Sequence, residues 1–374
     1  MQSDRRCRDK KGRAPLLQRC VSRKRRCGSG EPAGSSCMRS SEVQKITQRQ
    51  RFLDTLTGNG SDRFPFFDIE PAEDTLKRWY TEGFPRSKSF SKCFNLETHH
   101  SVGLMLRSYP FYRKAPDLLK DPSSFIRHYH PDQRSRYARG FEKRGKRLRE
   151  KGRVLYVDAS GGGLLQMLGV GDWESLANAC IALVEKPRMV EDLIQRTADF
   201  YCVCLERVLS KVPVDYAAFY EPIASNKGPV ISPAMFERFA VPGYRKVIGL
   251  LERFDVPLRI LCSTGGNLAS LLPSLIDAGI NCLWISNIRS AEMEYPRLRH
   301  RFGPRLALIG GIDATALTGD AAFLREVIEE MVPGLLESGR YLPCLDDRPR
   351  STIPFANYKL YRRILGELAD RYSS

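Results

Sequence analysis

Seven short apolar runs in this chain each end on residues that could do chemistry. "RFPFFDIE" ends on Asp68 and Glu70, and "RVLYVDASGGG" on Asp158, Gly162 and Gly163. "VDYAAFYEP" ends on Glu221, and "LRILCSTGGN" on Ser263, Thr264, Gly266 and Asn267. "NCLWISN" reaches Asn287, "LALIGGID" reaches Asp313, and "RYLPCLDDR" reaches Asp346, Asp347 and Arg348. Carboxylates crowded at one mouth and partly desolvated have raised pKa values, which suits general acid–base work. Hydroxyls, amides and glycines between them let a ligand approach the backbone closely. Taken one at a time, each such residue is more simply a helix N-cap. An oxygen-ligated divalent cation is a further option for an acidic cluster. The reading assigns Asp68, Asp158, Glu221 and Asp347 to catalysis and the remaining strand-end residues to substrate binding, with no metal ligands. The "LCSTGGN" loop lacks the spacings that make phosphate binding specific.

These groups converge only if the chain folds so that every run ends at one face. Amphipathic helices separate the runs. "KPRMVEDLIQRTADFYCVCLERVLSKV" repeats apolar residues at helical spacing. "ISPAMFERFAVPGYRKVIGLLERF" offers Ser232 as N-cap and Pro233 at the first helical position. "GDAAFLREVIEEMVPGLLESG" is a third, stopped by Gly339. Seven strand–helix units, with an eighth strand in 95–110, predict a single α/β domain, a (β/α)8 TIM barrel whose polar strand ends share one mouth. A helical lead-in, "SEVQKITQRQRFLDTLTG", precedes it, and 110–150 reads as a charged, helical insertion beside the mouth.

The net charge of +17 is concentrated at the start of the chain, where residues 1–51 carry 15 Lys and Arg against four acids. The rest is near balance, so nucleic-acid binding is not expected of the barrel. Residues 1–41 are predicted to be a disordered basic tail, and 42–374 the barrel domain. No stretch is long and apolar enough for a membrane helix and no secretory signal is evident, which predicts a soluble cytoplasmic protein without membrane partners. Eleven cysteines include no C-x-x-C pair, arguing against a zinc ribbon or a thioredoxin-type site.

The segments "GPVISPAMFERFAVPGYRKVI", "NLASLLPSLIDAGINCLW", "RFGPRLALIGGID" and "YLPCLDDRPRSTIPFANYKLY", in that order, resemble the uroporphyrinogen decarboxylase superfamily, over roughly residues 45–370. The resemblance implies a TIM barrel with its site at the C-terminal face, and a homodimer. It implies one of two chemistries: cofactor-free decarboxylation of acetate groups on a tetrapyrrole, or zinc-dependent methyl transfer between a corrinoid and a thiol, with a corrinoid protein as partner. A non-catalytic tetrapyrrole- or corrinoid-binding barrel is a third reading, and an enzyme of a small acidic or methylated metabolite a fourth.

Residue by residue, the match is incomplete. The methyltransferase loop His-x-Cys-Gly-Asn falls on Ser263, Gly265, Gly266 and Asn267, so neither zinc ligand is present and zinc is not expected. Cys262 is one residue off, which on a strand turns it to the opposite face. Cys344, near the end of the last strand, would face the mouth. The decarboxylases' arginine-rich segment is missing after "RFPFFDIE". Leu168 stands where they have a tyrosine, Asp347 where they have a histidine, and Pro222 where a serine follows the retained Glu221. Their aspartate that holds the pyrrole N–H groups corresponds to Asp68 or Asp158. Such an acidic mouth would repel a polycarboxylate unless Arg63, Arg86, Arg348 or Arg350 offset it.

Overall fold

The computed structural model describes residues 46–106, 127, 129–159, 162–263, 266–289 and 292–373, and Lys45–Ser374 form one compact unit. The basic tail, the first half of the 110–150 insertion, Gly161, Thr264 and Gly265 lie outside the described residues. The apolar runs become the strands β1 (His99–Ser101), β2 (Val154–Asp158), β3 (Tyr216–Tyr220), β6 (Leu258–Ser263), β7 (Cys282–Ile285), β8 (Ala307–Ile312) and β9 (Tyr341–Leu345). A two-residue hairpin, β4 (Ala224–Ser225) with β5 (Gly228–Pro229), follows β3. The seven longer strands form one parallel sheet in the order β1-β2-β3-β6-β7-β8-β9, with helices in the crossovers.

"RFPFFDIE", predicted as a strand, has no ladder of its own. It instead closes the barrel as an eighth stave between the two edge strands. The Glu97 N–H, just before β1, donates to the Phe66 carbonyl at 2.7 Å. The Leu345 N–H, at the end of β9, donates to Asp68 Oδ1 at 3.0 Å. Pro65 has no N–H to give, and a side-chain oxygen replaces a main-chain acceptor.

Strand alternation sorts the core into two layers. Tyr216 and Ala218, Ile260 and Cys262, Ile309, and Leu342 and Cys344 pack inward. Their neighbours Ala217, Phe219, Leu261 and Leu308 pack outward under the helices. The lead-in helix Gln48–Thr57 fits the lumen's lower end with Phe52 and Leu56. Thr47 caps its start by accepting the Gln50 N–H at 3.1 Å. The predicted helix over Ser232–Phe254 is two helices, Pro233–Phe239 and Val241–Arg253, because Pro242 cannot donate to the preceding turn. Ser232 is its N-cap as expected, accepting from the Met235 N–H at 3.2 Å. Helix Phe141–Glu150 is the regular helix in the described part of the insertion.

Candidate active site in the barrel lumen

Three of the predicted mouth carboxylates turn out to hold loops together. Asp68 is buried, and its two oxygens receive the Leu345 N–H at 3.0 Å, Tyr361 OH at 3.1 Å, Tyr358 OH at 2.8 Å and Arg362 Nη1 at 3.0 Å. Glu221, fully buried, accepts the Leu164 N–H at 2.5 Å and Tyr244 OH at 3.0 Å through Oε2, and the Leu165 N–H at 3.4 Å through Oε1. Burial pushes its carboxyl up to about 7 against those donors. The fit is close: a Cβ on Gly163 would lie 2.8 Å from Glu221 Oε2. Asp346 links two other loops, accepting the Ala314 N–H at 2.9 Å and the Ile288 N–H at 3.2 Å, and burial raises it to about 6.

The other strand-end residues also serve local structure. Asp313 caps the short 3-10 turn Ala314–Thr318 through the Thr315 N–H at 2.8 Å. Asp347 pairs with Arg350 and takes the Arg348 N–H at 2.7 Å, leaving the Arg348 side chain in solvent. Asn267 Oδ1 accepts the Ala269 N–H at 3.0 Å. Gly266, at φ +94°, seats its loop on the β4–β5 hairpin, where a Cβ would come within 2.2 Å of the Ala224 carbonyl oxygen. Gly162 packs toward the outward ring of Phe219, and Asn287 sits at a positive φ of 52°. The predicted convergence of these groups on a ligand is therefore corrected: none of them lines the lumen cavity described below.

The expected orientation of β6 is also reversed. Leu261 belongs to the outer core and Cys262 to the lumen, so alternation turns Ser263 away from the lumen. Ser263 is buried rather than ligand-facing. Cys344 faces the lumen and is fully buried. Burial pushes both thiols well above the ordinary cysteine range, so neither is poised as a thiolate.

What opens inside the barrel is a cavity of about 290 Å³ between the eighth stave and strands β1 to β7. Its aromatic wall includes Phe67, Tyr156, Tyr216, Tyr220 and Trp284. Tyr156 and Tyr216 stack at 4.9 Å between centroids, and Phe67 stacks on His99 at 4.4 Å and meets Trp284 edge-on at 5.4 Å. His99 Nδ1 lies 3.1 Å from Tyr216 OH, while its Nε2 is buried without a hydrogen bond. Burial among these rings depresses His99 to about 3, so the imidazole is neutral. Glu97 is buried as well. Its Oε1 pairs with Arg51 at 2.8 Å and Arg63 at 3.0 Å, whereas Oε2 has no partner. Asp158, at the end of β2, is close enough for its charge to act on Tyr156, Tyr220 and Cys262. Cys262 above all, then burial and Asp158, hold the Tyr220 phenol above the ordinary tyrosine range.

Sequence reasoning reached Asp68 and Asp158 but missed Glu97, His99, Tyr156, Tyr220 and Trp284. The two strand-end tyrosines and Trp284 were legible as alternate positions within apolar runs. Glu97 and His99 lie in a stretch with no clear periodicity.

The chemistry of the donors does not fit zinc. Ser263 and Gly265 cannot ligate it, the two lumen thiols are held protonated, and no group of three or more His, Cys, Asp or Glu is placed to share a metal among the described residues. No helix among the described residues is long and apolar enough to cross a membrane.

Comparison with known proteins agrees with this architecture. A structure from Listeria monocytogenes, described as a vitamin-B12 independent methionine synthase, aligns over 84% of this chain and 97% of its own, at 11% identity and a TM-score of 0.40. No curated protein matches the chain. The family model of uroporphyrinogen decarboxylase (URO-D) matches residues 165–342, the stretch from the loop after β2 into β9, and through that segment the chain belongs to the URO-D family.

Proposed function

We propose that the protein is a lyase of the URO-D type that removes CO2 from a one-ring nitrogen heterocycle held in the lumen cavity. The observation that carries this reading is the cavity itself, where an aromatic wall, Asp158 and Tyr220 meet at the C-terminal end of the barrel strands. Of the two aspartates that resemble the family's ring-binding residue, Asp68 has its oxygens occupied by four donors, which leaves Asp158 for that role. Asp158 would pair with the ring N–H. The electron pair of the breaking C–CO2 bond would pass into the ring, and the Tyr220 hydroxyl would return a proton to the carbon left behind. Exclusion of water by the rings would favour loss of a charged carboxylate.

A volume of about 290 Å³ lies at the low end for small-molecule sites, roughly 300–1,000 Å³. It favours one ring over an intact tetrapyrrole or corrinoid. The arginines that could offset a polycarboxylate are engaged elsewhere: Arg63 with Glu97, Arg86 over the Tyr80 ring at 4.6 Å, and Arg350 with Asp347. The zinc-dependent methyl-transfer reading has no ligand set to support it.

The test is CO2 release from a panel of pyrrole, imidazole and pyridine carboxylates, with uroporphyrinogen included. Release from a one-ring substrate that falls about 10²-fold in Tyr220→Phe supports the proposal. Turnover of uroporphyrinogen alone would refute the one-ring substrate, and binding without release from any member would identify a carrier and refute the lyase.

A further inference from the structure

The polar atoms of the cavity wall are unevenly signed. Three carboxylates, Asp68, Glu70 and Glu97, line it, and among the described residues no Lys or Arg does. Asp68 is neutralised by Arg362 at 3.0 Å. Glu97 is only half used, since both arginines that reach it bind Oε1 and Oε2 is buried without a hydrogen bond. Glu70, at the outer edge, is exposed. A buried acceptor without a donor costs free energy until something supplies one. Beside it stand five aromatic rings, whose electron-rich faces attract cations, most strongly in a desolvated site.

We infer that the lumen cavity selects a small organic cation, a nitrogen ring carrying positive charge, with Glu97 Oε2 as its buried counter-charge and the Tyr156, Tyr216 and Trp284 rings around it. This rests on the lumen cavity being the substrate site, as proposed above, and adds the charge of the group it takes. An acidic, aromatic wall without an ammonium or guanidinium disfavours an anion there, so a substrate carboxylate would point out toward the mouth while the ring nitrogen goes in. The sense is opposite to that of a site built to grip the carboxylates of an acidic substrate.

The inference is tested by calorimetric titration of the full-length protein with three probes of one size: N-methylpyridinium, its neutral isostere toluene, and benzoate. The expected order is cation, then neutral, then anion, with the cation at least about tenfold tighter than toluene. Glu97→Gln should reduce cation affinity about tenfold and leave toluene unchanged. Should that variant fail to fold, because Arg51 and Arg63 lose their partner, Glu70→Gln lies at the exposed edge and should weaken the cation severalfold, with the loss shrinking at high salt. Equal affinity for all three probes, preference for benzoate, or no binding would overturn the inference. Because binding is read without turnover, CO2 release by the unaltered enzyme judges the lyase reading separately. Cation binding without release would refute the lyase alone.

Discussion

The rim of this barrel and its lumen use the same residue type for opposite ends. On the rim, Asp68, Glu221 and Asp346 accept at least two main-chain or tyrosine donors each, from loops distant in sequence. In the lumen, Glu97 keeps one oxygen unpaired, and Asp158 lies among phenols and a thiol. A carboxylate surrounded by fixed N–H groups is a structural tie, since its lone pairs are spent before a ligand arrives. A buried carboxylate with an unspent oxygen is a cost that folding leaves in place, and a ligand can relieve it. The difference lies in the count of donors within reach, not in burial or position along a strand.

Substitutions can break this contrast at four points. The largest effect is expected from Asp68→Ala, which strands Arg362 and two tyrosine hydroxyls in the interior. It should cost about 3–5 kcal/mol in urea denaturation, and a loss under 1 kcal/mol would show that Asp68 is not a tie. Next is the pH dependence set by Glu221. Its folded pKa of about 7 lies above its unfolded value, so the folded state binds the extra proton between the two. The associated stability is full below the unfolded value and is lost as pH rises toward 7, by roughly 3 kcal/mol. Asp346, raised to about 6, adds a smaller contribution of the same sign. Melting temperatures from pH 4 to 7.5 should fall, and Glu221→Gln should flatten the curve.

Asp158→Asn should lower turnover about 10²-fold while leaving unfolding free energy within about 0.5 kcal/mol. Equal damage to stability would move Asp158 to the structural group. The smallest effect belongs to Asp347→Asn at the surface, where loss of the Arg350 pair should cost about 0–1 kcal/mol. A large drop in activity would restore the catalytic role first assigned to Asp347.

Much of the fold was legible because it depends on local pattern. Period-two apolar runs alternating with helical periodicity marked the staves, and caps such as Ser232 are written within four residues. "RFPFFDIE" was misread as a laddered strand because a proline and a side-chain acceptor replace the ladder, and pattern alone does not register that. The site was less legible. Aromatic residues at alternate positions of an apolar run read the same whether they fill a core or wall a cavity. The face of Cys262 against Ser263 depended on a register that no local signal set.

By itself, the sequence determined that eight staves would end in polar residues at one mouth, since the order of apolar runs, glycines and helices allows few other topologies. Only the tertiary structure decided which of those polar residues were already spent. The donors that occupy Asp68 come from 277 to 294 residues away, and the main-chain donors to Glu221 from 56 and 57. A carboxylate's chemistry depends on what surrounds both of its oxygens, and over those separations the surroundings exist only once the barrel has closed.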